Sequence, residues 1–162
     1  MRRVTLKFLA VTGLALLAGC GFQLRGQSPL PFNGAFVEAP TTSVLAGLLR
    51  AHLAQQSKLA GQRGNADVVI RLTGESRTKT ILSLSGAGKV REYRLMNAVT
   101  VSAVATDGKE MLAPTDIRLS RDFSYSDEQV LAKEAEEARL RRDVDEDALR
   151  QILRRLAFVR KP

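Results

Sequence analysis

The sequence predicts an α+β fold: a two-layer sandwich in which two helices cover one face of a four-stranded, mixed but mostly antiparallel sheet. Three segments with the two-residue alternation of β-strands follow one another across short loops. Segments with helical spacing of apolar residues lie before and after them. Strands joined by such short loops pair antiparallel, and one sheet face covered by both helices buries both apolar stripes.

The first elements are a short strand over Ala35–Glu38 and a helix. Four leucines at helical spacing follow Ser43, whose side chain suits an N-cap, and they predict a helix from Val44 to about Lys58. A turn at 61–65 follows this helix.

The sheet continues with three longer strands. We predict them over Val68–Leu84, Arg91–Ala105 and Ile117–Tyr125, because apolar and polar residues alternate in each. A glycine loop at 86–88 joins the first two, and Asp107–Gly108 makes the next hairpin turn. Arginines fall on the face opposite the apolar one and predict that this face is polar: Arg71, Arg94 and Arg118.

The last element is a long helix that runs towards Phe158. Ser126 and Gln129 have the spacing of a capping box at its start. Its second half carries an apolar stripe, made by Leu149, Ile152, Leu153 and Leu156. Oppositely charged side chains four residues apart add a few tenths of a kcal/mol each, as in the pairs Glu137 with Arg141 and Glu146 with Arg150.

The N-terminus reads as a lipoprotein signal. Basic residues precede an apolar run over 8–17, and small residues lead into Cys20, the only cysteine. A transmembrane helix is the alternative, but the run is about half of the roughly 20 residues that a span needs. We therefore predict a cleaved signal peptide over 1–19, a lipidated N-terminus and linker over 20–33, and one α+β domain over 34–162.

Charge narrows the class of partner. Cleavage after residue 19 removes three of the basic residues and lowers the formal charge from the +8 of the whole sequence. A basic surface behind an export signal favours anionic lipid, lipopolysaccharide or an acidic protein over nucleic acid. We expect no cofactor other than the covalent lipid on Cys20, an N-acyl and an S-diacylglycerol group, which leaves no thiol for a disulfide.

The residues do not assemble an enzyme site. His52 is the only histidine and lies beside an apolar helix stripe, so we assign it a structural role and expect no metal site. The run Gly86–Lys89 lacks the upstream glycine and the hydroxyl residue of a phosphate-binding loop, so we expect a hairpin loop there. We predict that the protein is not an enzyme.

The residues after the lipid site carry a family resemblance. Cys20–Gly26, with the letters CGFQLRG, resembles the opening of the lipopolysaccharide-assembly lipoproteins of the LptE family. Later stretches agree in the family's order: Glu92–Tyr93 with Asn97–Thr100, Arg121 with Phe123, and Leu131–Lys133 with Glu136–Glu137. The resemblance implies a two-helix, four-stranded sandwich that sits in the lumen of the outer-membrane β-barrel LptD, aids its assembly and binds lipopolysaccharide.

By resemblance to the sorting of other bacterial lipoproteins, we expect the lipid anchor in the outer membrane, on its periplasmic side. Inner-membrane lipoproteins often carry Asp after the lipidated cysteine, whereas this chain has Gly21. The alternative is a generic outer-membrane lipoprotein that binds another envelope component and does not co-purify with LptD.

Lipopolysaccharide contact requires cations, because its phosphates pair well with Arg and Lys. Our first candidates are Lys89 and Arg91, which flank the glycine loop, and Lys133 in the last helix, whose Leu-Ala-Lys context matches the family. Arg77 and Lys79, on the strand that approaches the loop, are second candidates. The alternative for each is an ordinary solvated surface charge.

Overall fold

The structure is a computed structural model that describes residues 29–159. Its strands are β1 (Ala35–Glu38), β2 (Val68–Leu84), β3 (Val90–Ala105) and β4 (Glu110–Ser124), and its α-helices are α1 (Val44–Gln55) and α2 (Val130–Ala157). Short 3₁₀ turns at Arg63–Asn65 and Asp127–Gln129 precede β2 and α2. Cys20 and the signal segment lie outside the described residues, so the predictions made for them are not tested here.

The four strands form one sheet in the order β1-β2-β3-β4. β1 runs parallel to β2, and the two later pairs are antiparallel hairpins. The α+β architecture and the mixed, mostly antiparallel sheet are therefore confirmed.

Both helices pack on one face of this sheet, the inner face. The core joins the leucines of α1 to the starts of β1 and β2 and to the second half of α2; it includes Leu45, Leu49, Leu53, Val68, Ile70, Leu72, Ile152 and Leu156. Five of the six buried residues of α2 are apolar, and all six lie from Val144 onward. Three of them belong to the predicted stripe: Ile152, Leu153 and Leu156.

A β-bulge divides β2 into two parts. Thr73 pairs with Thr100 and Ser76 with Ala98, so two residues of β2, Gly74 and Glu75, face one residue of β3. Gly74 has φ of 62°, a left-handed conformation that glycine adopts without a steric penalty. Because side chains alternate with a period of two, the extra residue exchanges the faces of the residues from Ser76 to Ile81, where the next irregularity of β2 begins.

The bulge also aims a carboxylate at the start of α1. The side chain of Glu75 accepts hydrogen bonds from the backbone N–H groups of Val44 at 3.2 Å and Leu45 at 3.4 Å, and from the hydroxyl of Ser43. Ser43 Oγ in turn accepts from Ala46 N at 3.0 Å, which confirms the predicted N-cap. A negative charge here also complements the helix dipole.

Helix α1 ends three residues before the predicted Lys58. Ser57 adopts φ of 56°, and the N–H groups of Ser57 and Lys58 donate to the carbonyls of Ala54 and Leu53 at 2.9 and 2.8 Å. This is a Schellman motif, which normally uses glycine at the left-handed position. The serine gave no sequence signal for it, and so the predicted helix was too long.

Two further boundaries need correction. Leu30 and Phe32, which we assigned to the linker over 20–33, are buried in the core, so the packed domain extends upstream of residue 34. β4 begins at Glu110 rather than Ile117. Pro114 argued against a strand here, so the first half of β4 was not predicted. β4 is an edge strand, and such a strand tolerates proline because the backbone groups along its free edge need no hydrogen-bond donor.

The hairpins give the domain two ends. We call the base the end that holds residues 29–34, the turn at 106–109 and the last turn of α2. The tip is the opposite end and comprises residues 79–93 and 123–137. A strand of 16 residues such as β3 makes the sheet about 50 Å long. Within residues 29–159, no helix is long and apolar enough to cross a membrane.

Candidate functional site

The three first-choice cations all lie at the tip. Lys89 closes the turn between β2 and β3, and its ammonium lies 3.5 Å from the carboxylate of Asp127. Arg91 is exposed, and its carbonyl accepts from Tyr125 N at 2.8 Å. Lys133 donates to Ser124 Oγ at 3.1 Å and pairs with Glu136 at 2.9 Å. The fold thus brings together the start of β3, the end of β4 and the start of α2.

The second-choice cations occupy a different setting. Because of the bulge, Arg77 and Lys79 project from the inner face and reach α2. Arg77 pairs with Asp145 at 2.7 Å, and Lys79 pairs with Glu137. Both cations therefore already have a carboxylate partner, which distinguishes them from Arg91.

Lys79 also covers an aromatic cluster. Its ammonium lies 4.1 Å from the ring centroid of Tyr93 and 5.7 Å from that of Phe123, within the range of cation–π attraction. Tyr93 stacks on Phe123 at 5.8 Å and meets Tyr125 edge-on at 5.2 Å. The cluster forms the inner face of the sheet at the tip.

The two carboxylates that meet these cations have opposite pKa shifts. Burial raises the pKa of Glu137, but hydrogen bonds from Lys79 and Arg141 together outweigh it and hold that pKa below its ordinary value. Burial raises the pKa of Asp145, and the attraction of Arg77 and the hydrogen bond from Asn97 only partly offset it. Glu75 contributes a further upward effect on the Asp145 pKa.

Asp145 and Asn97 form a buried polar contact that the sequence reading missed. Asn97 is 3% exposed and Asp145 6%, and Asn97 Nδ2 donates to Asp145 Oδ1 at 2.7 Å. Asn97 Oδ1 has no hydrogen-bond partner among the described residues. The Asn97 residue also lines a cavity of about 10 Å³ together with Arg77, Arg141 and Asp145, which has room for about one water.

Exposed apolar side chains accompany the tip cations. Leu131 is 82% exposed and Ile81 56%, and Leu82, Leu84 and Val130 are also exposed. Five of the nine exposed large apolar residues within residues 29–159 therefore belong to the tip. Exposed apolar groups that cluster are typical of binding surfaces.

The outer face of the sheet has the predicted polar character. Arg94 pairs with Asp122 at 2.7 Å, Arg118 with Asp116 at 2.7 Å, and Arg71 with Glu38 at 2.8 Å. Hydrogen bonding from Arg94 lowers the pKa of Asp122, and hydrogen bonding from Thr100 lowers that of Asp116. This face presents charges that are already neutralised in pairs.

The remaining candidates have structural surroundings. His52 Nε2 lies 2.9 Å from the side-chain amide nitrogen of Gln56, the residue that caps the C-terminus of α1. Gly86–Lys89 forms the predicted hairpin loop, in which Gly88 N donates to Ser85 O at 2.9 Å. In the part of the chain that the structure describes, no three His, Cys, Asp or Glu side chains are placed to hold a metal ion.

The sequence matches the family model described as LptE: Lipopolysaccharide-assembly over residues 31–156. The chain is 31% identical to the LPS-assembly lipoprotein LptE of Photorhabdus laumondii, over 98% of this chain and 88% of that protein. It is 30% identical to the protein of the same name from Pectobacterium atrosepticum, over 94% of this chain and 85% of that protein.

Solved structures agree with these matches. The solution NMR structure of lipoprotein B from Nitrosomonas europaea is similar at a TM-score of 0.71 and 36% identity, covering 83% of this chain and 88% of that one. The crystal structure of rare lipoprotein B from Shewanella oneidensis is similar at a TM-score of 0.59 and 28% identity, covering 76% and 90%. The described fold is therefore shared with other bacterial lipoproteins.

Proposed function

Because this chain belongs to the LptE family of lipopolysaccharide-assembly proteins, we propose that it is a non-enzymatic, lipid-anchored component of lipopolysaccharide assembly that binds lipopolysaccharide at its tip and forms a one-to-one complex with the outer-membrane β-barrel LptD. The lipid is attached at Cys20, and the protein lies on the periplasmic side of the outer membrane.

One observation carries the lipopolysaccharide proposal: the tip combines cations with exposed apolar side chains. Lys89, Arg91 and Lys133 can pair with phosphates, and charge-assisted bonds of this type are among the stronger hydrogen bonds in proteins. Leu131 and Ile81 can cover acyl chains. A phosphorylated glycolipid presents both kinds of group at one end.

The barrel proposal rests on the family and on the shape and polarity of the domain. The paired charges of the outer face suit the polar interior of a large barrel. The sheet length of about 50 Å slightly exceeds the 40–45 Å of a whole bilayer. A domain with its base at the periplasmic surface and its sheet along the lumen would therefore carry its tip to the outer leaflet.

The binding test is a charge reversal with a matched control. Lys89, Arg91 and Lys133 are changed together to Glu, and binding of purified lipopolysaccharide to the mature protein is measured. The control reverses three exposed cations outside the tip, Lys109, Arg118 and Arg154, which changes the net charge equally. We expect loss of binding in the tip variant only; equal binding by both variants and wild type contradicts the assignment.

The partner test is a mild-detergent pulldown of the tagged, lipidated protein from outer membranes. Recovery of LptD at equal stoichiometry with bound lipopolysaccharide supports the proposal. Recovery of a monomer without LptD favours the alternative of a lipoprotein that serves another envelope component.

A further inference from the structure

The two halves of α2 are held to the sheet differently. Residues from Val144 onward bury apolar side chains in the core. Between Val130 and Asp143 the helix has no fully buried side chain. The first half therefore contributes little apolar burial to its own attachment.

Lysines of the tip supply the polar links that hold this first half. Lys89 pairs with Asp127, Lys79 pairs with Glu137, and Lys133 donates across to Ser124 of β4. Lys133 is also neutralised by Glu136 within the helix. Every one of these three lysines is thus engaged by residues of, or next to, the segment 127–137.

The aromatic cluster lies behind these links. Lys79 covers the ring of Tyr93 while it pairs with Glu137, and Phe123 is buried beside it. Separation of Glu137 from Lys79 would uncover Tyr93 and Phe123 and free a cation beside them. The anchor that limits the movement is Asp145, which Arg77 and Asn97 hold at 2.7 Å each.

We propose that residues 127–143 form a lid that a polyphosphorylated amphiphile opens by competing for Lys79, Lys89 and Lys133. A dianionic phosphate pairs with an ammonium more strongly than a single carboxylate does, so the ligand displaces Asp127, Glu136 and Glu137. The open lid adds Lys79 and the aromatic cluster to the binding surface. This inference rests on the proposed function, because the lid would control access to the proposed lipopolysaccharide site.

Opening has a backbone signature. A detached helix of about 14 residues is marginally stable in water, so the freed lid should lose helical hydrogen bonds. Its amide hydrogens should then exchange faster, while those of residues 146–157 should not. Its opening should also expose both tyrosines of the chain, Tyr93 and Tyr125; because the sequence contains no tryptophan, protein fluorescence reports on this cluster alone.

The experiment needs no ligand in its first arm. Hydrogen exchange by mass spectrometry and acrylamide quenching of tyrosine are measured on the mature protein and on the double variant Asp127→Asn with Glu137→Gln. The control is Glu134→Gln, which removes the charge of an exposed carboxylate in the same helix. We expect exchange over 127–143 to rise about threefold or more in the double variant, with stronger quenching, and no change in the control.

Two further arms use wild-type protein. Raising sodium chloride from about 50 mM to about 0.5 M screens surface pairs and should reproduce the double variant's exchange. Purified lipopolysaccharide at low salt should also speed hydrogen exchange over 127–143. Pyrophosphate, which has phosphates but no acyl chains, separates the effect of the phosphates on this exchange from that of the lipid. Circular dichroism verifies that each variant is folded.

The outcomes separate the two proposals. Unchanged exchange over 127–143 in a folded double variant and in high salt overturns the lid, whether or not lipopolysaccharide binds. A lid that opens in those arms, combined with no lipopolysaccharide binding at all, overturns the proposed function and leaves only a salt-sensitive helix. Lipopolysaccharide binding without faster exchange overturns ligand-driven opening.

Discussion

The base and the tip of the sandwich are built from the same sheet and the same helix, yet different forces hold them. At the base, leucines of α1 and the end of α2 close over β1 and β2, and the contacts are apolar. At the tip, α2 meets the hairpin through ion pairs that remain partly exposed. Salt does not screen apolar contacts, whereas it screens exposed ion pairs, which are weak and exchangeable. The domain thus concentrates stability at one end and adaptable charge at the other.

We expect the largest loss of stability from a substitution in the apolar core at the base. Leu49→Ala should lower the free energy of unfolding by about 2–5 kcal/mol, because Leu49 is fully buried and its truncation leaves a cavity. Urea unfolding measures the loss. The matched change at the tip, Leu131→Ala, should stay within about 0.5 kcal/mol, because that side chain is already in water. Similar losses at both sites would contradict the contrast between the two ends.

An intermediate effect is expected at the bulge that separates the two ends. Gly74→Ala should cost about 1–2 kcal/mol of unfolding free energy, because an L side chain disfavours the left-handed conformation. The added Cβ would meet only Thr100 Oγ1 at 4.0 Å, so the cost is conformational rather than a clash. Gly86→Ala, in the hairpin loop with nothing within 4 Å of its Cβ, should be close to neutral. Thermal unfolding of the pair compares the two costs.

We expect the smallest effect from the ion pair of Glu137 at the tip, and its dependence on pH distinguishes it from the apolar contacts of the base. The pKa of Glu137 is lowered in the fold, so its ion pair stabilises above the ordinary carboxyl pKa, and this contribution disappears as pH falls through the lowered value. At pH 7 wild type should be more stable than Glu137→Gln by less than about 1 kcal/mol, since the pair is partly exposed. Urea unfolding from pH 7 to about pH 3 should bring the two curves together. A difference that grows on acidification contradicts the pKa direction.

Most of the secondary structure could be read from the sequence. β1 and β2 have the predicted bounds, β3 begins one residue earlier, and α2 ends next to the predicted Phe158. Their alternation or helical spacing is strong because one face of each packs on the core. Ser126 begins a 3₁₀ turn and accepts from Glu128 N rather than from Gln129, so the expected capping box is replaced by a shorter cap.

The tip was only half predictable. Its cations could be placed from loop positions, but their carboxylate partners are distant in sequence: Lys79 and Glu137 are separated by 58 residues. Two signals in the sequence could have shown more. Gly74 interrupts a strand, a position that often marks a bulge. Asp145 stands seven residues before Ile152 on the apolar stripe of α2, where a charged residue requires a partner.

The bulge at Gly74 also divides β2 into two parts: even-numbered residues face the helices before it, and odd-numbered residues face them after it. In a strand of the same length without the bulge, Ser76 and Thr78 would face α2, and Arg77 and Lys79 would face the outer side of the sheet. Deletion of one residue at the bulge would restore plain alternation and leave Arg77 and Lys79 facing α2. Insertion of a residue in the loop at 86–88 would not change which face of the sheet each side chain of β2 occupies. The bulge itself, rather than the length of the loop, therefore determines which side chains in the second part of β2 face the helix.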